Sequence, residues 1–194
     1  MLKNTKLLVT LSLLIIFSGF GFLWFGLKQD EVDLPPTVLP QVLSTPVATI
    51  ASTLGVDGDQ VRVIKVVDGD TIQVEIEGIA ETVRFIGIDT PETVDPRRPV
   101  GCFGKEASNM VKELLSNKIV ILQKDVSDTD KYGRLLRYIY LPIDNGQMLF
   151  VNDYLVREGF ALVLTYPPDV KFNERFREAE QSAKENKKGL WGKC

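Results

Sequence analysis

Three regimes of hydrophobic patterning divide the chain. From Leu7 to Leu27 no residue is charged and most are apolar. As a helix these 21 positions extend about 30 Å, the thickness of a bilayer's hydrocarbon core. Lys3 and Lys6 precede the run, and Asp30, Glu31 and Asp33 follow it, an asymmetry that places the N-terminus on the cytoplasmic side. Phe22, Trp24 and Phe25 stand near the outer end, where an aromatic belt sits. The run ends in bulky residues with no small-x-small site and no cysteine behind it, which favours an uncleaved anchor over a processed signal. Residues 1–28 are therefore read as a transmembrane signal anchor, with cleavage and secretion as the competing reading. Residues 29–58 read as linker, with Pro35, Pro36, Pro40 and Pro46 scattered among Val, Thr and Ser without a helical or strand period.

Residues 59–194 read as one folded domain. Val61 and Val63 alternate with polar residues, a turn is marked by Asp68-Gly69, and Ile72, Val74 and Ile76 then alternate with Gln73, Glu75 and Glu77. This is a hairpin pattern with a half-buried second strand. A third strand is expected over about Thr82 to Ile88. Residues 104–118 place Ala107, Met110, Val111, Leu114 and Leu115 on one helical stripe. KIVILQ and RLLRYIY read as the fourth and fifth strands. VNDYLVREGF reads as a short helix that Asn152 or Asp153 could cap. A last helix is expected over about Asn173 to Lys188, with Phe172, Phe176, Ala179 and Ala183 on one side and Gly189 as its stop. Short strands at this spacing, one helix after the third and two after the fifth, predict a small α+β domain closing into a barrel or sandwich.

Composition removes whole classes of chemistry. The chain has no histidine, which excludes Ser-His-Asp and Cys-His nucleophilic sites, histidine bases and histidine metal ligands. Two cysteines, Cys102 and Cys194, cannot build a zinc site of the usual cysteine or cysteine-histidine kind, so any metal must be held mainly by oxygen. If the domain lies outside the membrane, the compartment is oxidising and the even cysteine count suits one Cys102–Cys194 disulfide. Net charge is −3, and residues 59–194 hold 20 Lys and Arg against 22 Asp and Glu, so global charge provides no basic footprint.

Three segments concentrate charge at turns. Asp68-Gly69-Asp70-Thr71 carries two carboxylates where a hairpin turn needs one, and neighbouring carboxylates repel unless a cation sits between them. RFIGIDTPET puts Arg84 inside an apolar strand, with Asp89 and Glu92 around Pro91 just past its end. Strict alternation sets Arg84 and Asp89 on opposite faces, so a shared site requires a bend, for which Gly87 is the obvious place. Asp130-Lys131-Tyr132-Gly133-Arg134 opens the fifth strand. Each segment alone also reads as ordinary turn chemistry. Together they supply hard oxygen ligands, two arginines able to grip phosphate, and a carboxylate to activate water, the parts of a phosphodiester-hydrolysing site.

VVDGDT, RFIGIDTPET and DKYGR resemble the motifs of the staphylococcal-nuclease (thermonuclease) family, and CFGKEA and the terminal GLW resemble further segments of it. The likeness covers about Gln60 to Trp191. It implies an OB-fold five-stranded β-barrel with three helices, here preceded by the N-terminal transmembrane helix, and Ca²⁺-dependent hydrolysis of DNA and/or RNA leaving 3′-phosphates. By motif position the resemblance implies Arg84, Glu92 and Arg134 as catalytic residues, and Asp70, Asp89 and the Thr90 backbone carbonyl as calcium ligands. It places Asp68 in the water-mediated shell and Lys131 and Tyr132 on a nucleotide phosphate. The family has two tyrosines after the second helix; LVLTYPPD retains Tyr166 alone as a candidate base contact. The expectation is a monomeric, single-pass cell-membrane protein with its nuclease domain extracellular and no protein partner. The alternatives are a non-catalytic OB-fold module binding nucleic acid or protein, and a calcium-binding structural domain, neither of which needs both arginines.

Overall fold

The structure, a computed structural model, describes residues 55–93 and 99–194. The expected anchor over 1–28 and the linker as far as residue 54 lie outside the described residues. β1 (Asp59–Asp68), β2 (Thr71–Ile76) and β3 (Ile79–Phe85) form an antiparallel meander. β4 (Ile88–Asp89) follows, and then helix α1 (Gly104–Leu115) leads to β5 (Ile119–Gln123) and β6 (Leu135–Ile143). The sheet order β3-β2-β1-β5-β6, with β6 returning to pair in parallel with β3, closes a five-stranded barrel. β7 (Gln147–Phe150) continues the sheet beside β6. α2 (Val151–Arg157), β8 (Leu162–Val163), α3 (Asn173–Glu185) and the short α4 (Leu190–Lys193) complete the chain. The barrel and its three principal helices are the small α+β barrel that the pattern predicts and the OB-type architecture that the resemblance implies.

The register of β1 against β2 shifts twice, between Val63 and Lys65 and between Val66 and Asp68. Val63 pairs with Val74, but the next pair is Lys65 with Gln73, so Ile64 is the extra residue of a β-bulge and is left exposed. The bulge returns Val66 to the core and sharpens the coiling a small barrel needs. α1 packs across the barrel through Ala107, Val111 and Leu115, all fully buried, with Met110 and Leu114 at the margin. α3 packs through Phe176, Ala179 and Ala183, and Phe176 joins an aromatic cluster with Tyr138, Phe150 and Phe172.

Several expectations need correction. The third strand ends at Phe85, not Ile88, because Gly87 takes φ +79° and turns Ile88–Asp89 away to pair with Leu162–Val163. The turn residues of the first hairpin are Gly69 and Asp70, with Asp68 still paired to Thr71. Neither Asn152 nor Asp153 caps α2. Asn152 is fully buried, accepting from the Ile139 N–H at 2.9 Å and donating to the Ile86 carbonyl at 2.9 Å, so it ties β6 to the loop after β3. Asp153 instead binds Arg157 and Arg175. α3 stops at Glu185 in a Schellman motif whose left-handed residue is Lys187 rather than Gly189: the Lys188 N–H reaches the Ala183 carbonyl at 2.9 Å and the Lys187 N–H the Lys184 carbonyl at 3.1 Å. Gly189 serves a close approach, since a Cβ there would meet the Gly159 carbonyl oxygen at 2.3 Å.

Cys102 and Cys194 are disulfide-bonded, with Cα atoms 6.0 Å apart and a sequence separation of 92. The bridge fastens the chain's last residue beside Gly101, whose N–H donates to the Glu92 carbonyl at 2.8 Å. In the chain-entropy account, closing a loop of this length stabilises by about 4 kcal/mol. Urea unfolding followed by fluorescence, with and without a reductant, should therefore show a clearly lower midpoint for the reduced protein; coincident curves would refute a stabilising bridge.

Candidate active site

Local chain chemistry brings the first two charged segments to one place. Gly69 and Asp70 form a tight link between β1 and β2, and a Cβ on Gly69 would meet the Thr90 side chain at 2.8 Å, so only glycine lets the link lie against Thr90. Asp70, buried there, accepts at Oδ2 from the Thr90 N–H at 2.8 Å and the Thr90 hydroxyl at 2.9 Å, and at Oδ1 from the Thr71 hydroxyl at 3.0 Å. The Gly87 bend supplies the other carboxylate. Arg84 leaves β3 with its side chain 14% exposed; Nη1 pairs with Asp70 Oδ2 and Nη2 with Asp89 Oδ1 at 2.7 Å. The expected bend thus lets Arg84 and Asp89, on opposite faces of an ideal strand, meet directly.

A second chain of contacts runs beside the first. The Thr93 hydroxyl donates to Asp68 Oδ1 at 2.6 Å, and the Thr93 N–H donates to Glu92 Oε1 at 3.0 Å. Thr93, to which the sequence reading assigned no role, therefore orients Asp68 and Glu92 together. The only advance signal was a hydroxyl within DTPET, because the contact to Asp68 spans 25 positions. Burial pushes the Asp68 carboxyl above its ordinary value, and the negative charges of Asp70 and Glu92 push the same way against the hydrogen bonds from Thr93 and Gly69.

The third segment lies on the neighbouring strand. Asp130 opens a turn in which the Gly133 N–H donates to its carbonyl at 3.0 Å, and its Oδ1 accepts the N–H groups of Tyr132 at 2.9 Å and Arg134 at 3.0 Å. Asp130 Oδ2 takes Arg134 Nε at 2.7 Å and Nη2 at 2.6 Å. Burial works to raise the Asp130 pKa, but Arg134 and these N–H donors outweigh it and hold the carboxyl below its ordinary value. Arg134 stands two residues before Leu136, the partner of Arg84 in the parallel β3–β6 ladder. This register, rather than a side-chain contact, brings the two arginines to adjoining strands. Tyr132, 72% exposed, has Lys131 Nζ 5.0 Å and the Arg134 guanidinium carbon 5.5 Å from its ring centroid. Tyr166, 69% exposed, sits at a turn closed by the Asp169 N–H at 3.0 Å. Asp169 in turn accepts the N–H groups of Val126 and Ser127, which join the two tyrosine-bearing loops.

The donor set suits a hard cation. Two carboxylates converge on one guanidinium, and every nearby side-chain donor is oxygen. Among the described residues no three acidic side chains form a cage by themselves, so a cation held here must also draw on backbone oxygen and solvent.

Comparison with known proteins identifies the family. The family profile described as "Staphylococcal nuclease homologue" matches residues 82–193. The chain is 44% identical over 130 residues to the thermonuclease of Staphylococcus hyicus, covering 67% of this chain and 74% of that protein. It is 41% identical over 140 residues to the thermonuclease of Staphylococcus intermedius, covering 72% and 80%. It is also 41% identical over 131 residues to the endonuclease YncB of Bacillus subtilis, covering 66% and 60%.

The bend is testable. A Cβ at Gly87 would combine a positive φ with a 2.6 Å approach to the Phe176 ring. Gly87→Ala should cost about 2–4 kcal/mol in urea unfolding, the sum of left-handed strain and overpacking. A midpoint equal to wild type would show that the bend does not depend on glycine.

Proposed function

The chain belongs to the staphylococcal nuclease family, and from that premise we propose that it is a Ca²⁺-dependent nuclease hydrolysing phosphodiester bonds of DNA and/or RNA to leave 3′-phosphates. The observation that carries the reading is the fork of Arg84 between Asp70 and Asp89, with Glu92 held by Thr93 alongside. A structural calcium module would need the carboxylates but neither arginine, and a binding module would not need Glu92.

Asp70, Asp89 and the Thr90 carbonyl are the groups that would hold the ion, with Asp68 reaching it through water. The Thr90 N–H and hydroxyl already position Asp70. When bound, the cation supplies charge neutralisation and polarisation at the scissile phosphate. Arg84 and Arg134 bind non-bridging phosphate oxygens and stabilise the charge that develops on them in the transition state. Glu92 accepts a proton from the attacking water; the water oxygen bonds to phosphorus as the P–O5′ bond breaks, and a proton returned to O5′ completes the 5′-hydroxyl. Lys131 binds a neighbouring phosphate, and Tyr132 and Tyr166, broadly exposed, present ring faces to nucleotides.

Asp70→Ala, Asp89→Ala and Glu92→Gln should each lower kcat/KM on polynucleotide by about a hundredfold or more while circular dichroism stays native, losses in the range of single catalytic groups. Excess chelator should abolish wild-type activity and calcium should restore it. Full activity in chelator would overturn the calcium reading, and full activity of Glu92→Gln its role as base.

We further propose that the charge-free run Leu7–Leu27 anchors the protein in the cell membrane with the nuclease domain outside. The 21-residue length and flanking charges support this reading. The full-length protein should sediment with membranes, and protease added to intact cells should release soluble nuclease activity. A soluble product whose N-terminus maps between residues 25 and 60 would establish processing instead.

A further inference from the structure

Helix α1 has two working faces. One buries Ala107, Val111 and Leu115 against the barrel. Another carries Lys105, Ser108, Asn109 and Lys112, spaced i, i+3, i+4 and i+7 and hence aligned along the helix. With Val67 and Thr93 this second face lines a cavity of about 340 Å³. Both barrel-side residues border the candidate active site: Val67 precedes Asp68, and Thr93 binds Asp68 with its hydroxyl and Glu92 with its N–H. The cavity therefore shares a wall with the site.

Its two charges have no neutralising neighbour along the helix face. On α3, Lys184 is neutralised one turn away by Glu180, at 2.7 Å. The residues one turn from Lys105 and Lys112 along this face are Asn109 and Ser108, neutral groups, while Glu106 and Glu113 lie off it. Both lysines are exposed, and among the described residues neither enters an ion pair. Seven residues at 1.5 Å each set them about 10 Å apart along the axis, too far to share one phosphate and within reach of two phosphates of one strand. Ser108, small and buried, keeps the floor between them low.

We propose that this groove is an accessory phosphate-backbone subsite, in which Lys105 and Lys112 bind the polynucleotide beyond the scissile phosphate and Asn109 donates a hydrogen bond between them. The inference rests on the nuclease reading and extends it to polymer length. Lysine suits the role because an ammonium binds phosphate as a point charge without fixing orientation, allowing a flexible strand to pass. Two cationic groups beside the cluster of Asp68, Asp70, Asp89 and Glu92 also draw a polyanion past carboxylates that would otherwise repel it.

The test compares the full-length protein in detergent with K105Q/K112Q. Binding of a labelled single-stranded oligonucleotide of about twenty nucleotides is followed by anisotropy across a salt series, in a Glu92→Gln background that prevents cleavage. Two lost contacts should weaken binding about tenfold and reduce the slope of log K against log salt by about 1.4, at roughly 0.7 per single-strand phosphate. In the Glu92 protein, KM for polynucleotide should rise with no comparable rise for a dinucleotide, which cannot reach the groove. K105R/K112R should restore oligonucleotide binding. If K105Q/K112Q fails to fold, K105Q and K112Q carry the test singly, each removing about 0.7 from the slope. Unchanged affinity and slope in a natively folded variant overturn the subsite even if the wild type cleaves. Salt-dependent binding lost in K105Q/K112Q upholds it even if the wild type proves unable to cleave, which would refute the nuclease reading alone.

Discussion

One guanidinium fixes the geometry of everything around it. Arg84 issues from β3, is largely buried, and holds Asp70 from the β1–β2 link and Asp89 from β4. Removing the arginine would leave the Asp70 carboxylate buried without the cation that pairs with it. The pairing is therefore a constraint on two backbone segments, more than a source of net stability. It requires the chain to reverse within four residues of Arg84, and Gly87 makes that reversal possible. The Phe176 ring fills the space a side chain at Gly87 would need. The position of α3 is thereby coupled to that of Asp89, although α3 contributes no residue to the site.

The C-terminal third acts on the site in the same indirect way. β8 pairs with Ile88–Asp89, and the Leu164 N–H donates to the Gly87 carbonyl at 3.0 Å. The disulfide holds Cys194 to Cys102, one residue from the Gly101 N–H that donates to the Glu92 carbonyl. At Gly159 and Gly189 the two backbones touch, and the Leu190 N–H donates to the Gly159 carbonyl at 2.9 Å. These ties place the loops bearing Asp89 and Glu92 under restraint from both sides, the preorganisation that the proposed function requires of them.

What could be read from the sequence was set by how local each determinant is. The need for a bend between Arg84 and Asp89 followed from strand parity alone, and Gly87 was the obvious place for it. The barrel strands and α1 were legible because their buried faces recur at periods of two and 3.6 residues. β4 and β8 were not legible, since two-residue strands have no period and exist only because Gly87 turns one toward the other. Asn152 was misread as a cap because helix-start residues favour caps, whereas its amide is consumed by two distant backbone groups, one on β6 and one in the loop after β3. Thr93 escaped notice for the same reason. The polar stripe of α1 was visible all along at helical spacing, but its meaning appears only when the barrel sets Val67 and Thr93 opposite it.

A domain with 20 basic and 22 acidic residues cannot bind a polyanion through its overall field. Its cations must act by placement. Lys131 and Arg134 flank the Tyr132 ring on one turn, so that positive charge and a stacking surface are presented together. Asp130 restrains Arg134 through Nε and Nη2, which in the proposed function would limit the entropy lost on engaging a phosphate. Arg84 is restrained in the same way by Asp70 and Asp89. In each case a carboxylate lowers the net charge of the surface while fixing the direction of a cation. In the proposed function, these acidic residues would reduce non-specific attraction and at the same time sharpen the recognition of a phosphate brought into register. That trade links the near-neutral composition of the domain to the geometry of its site.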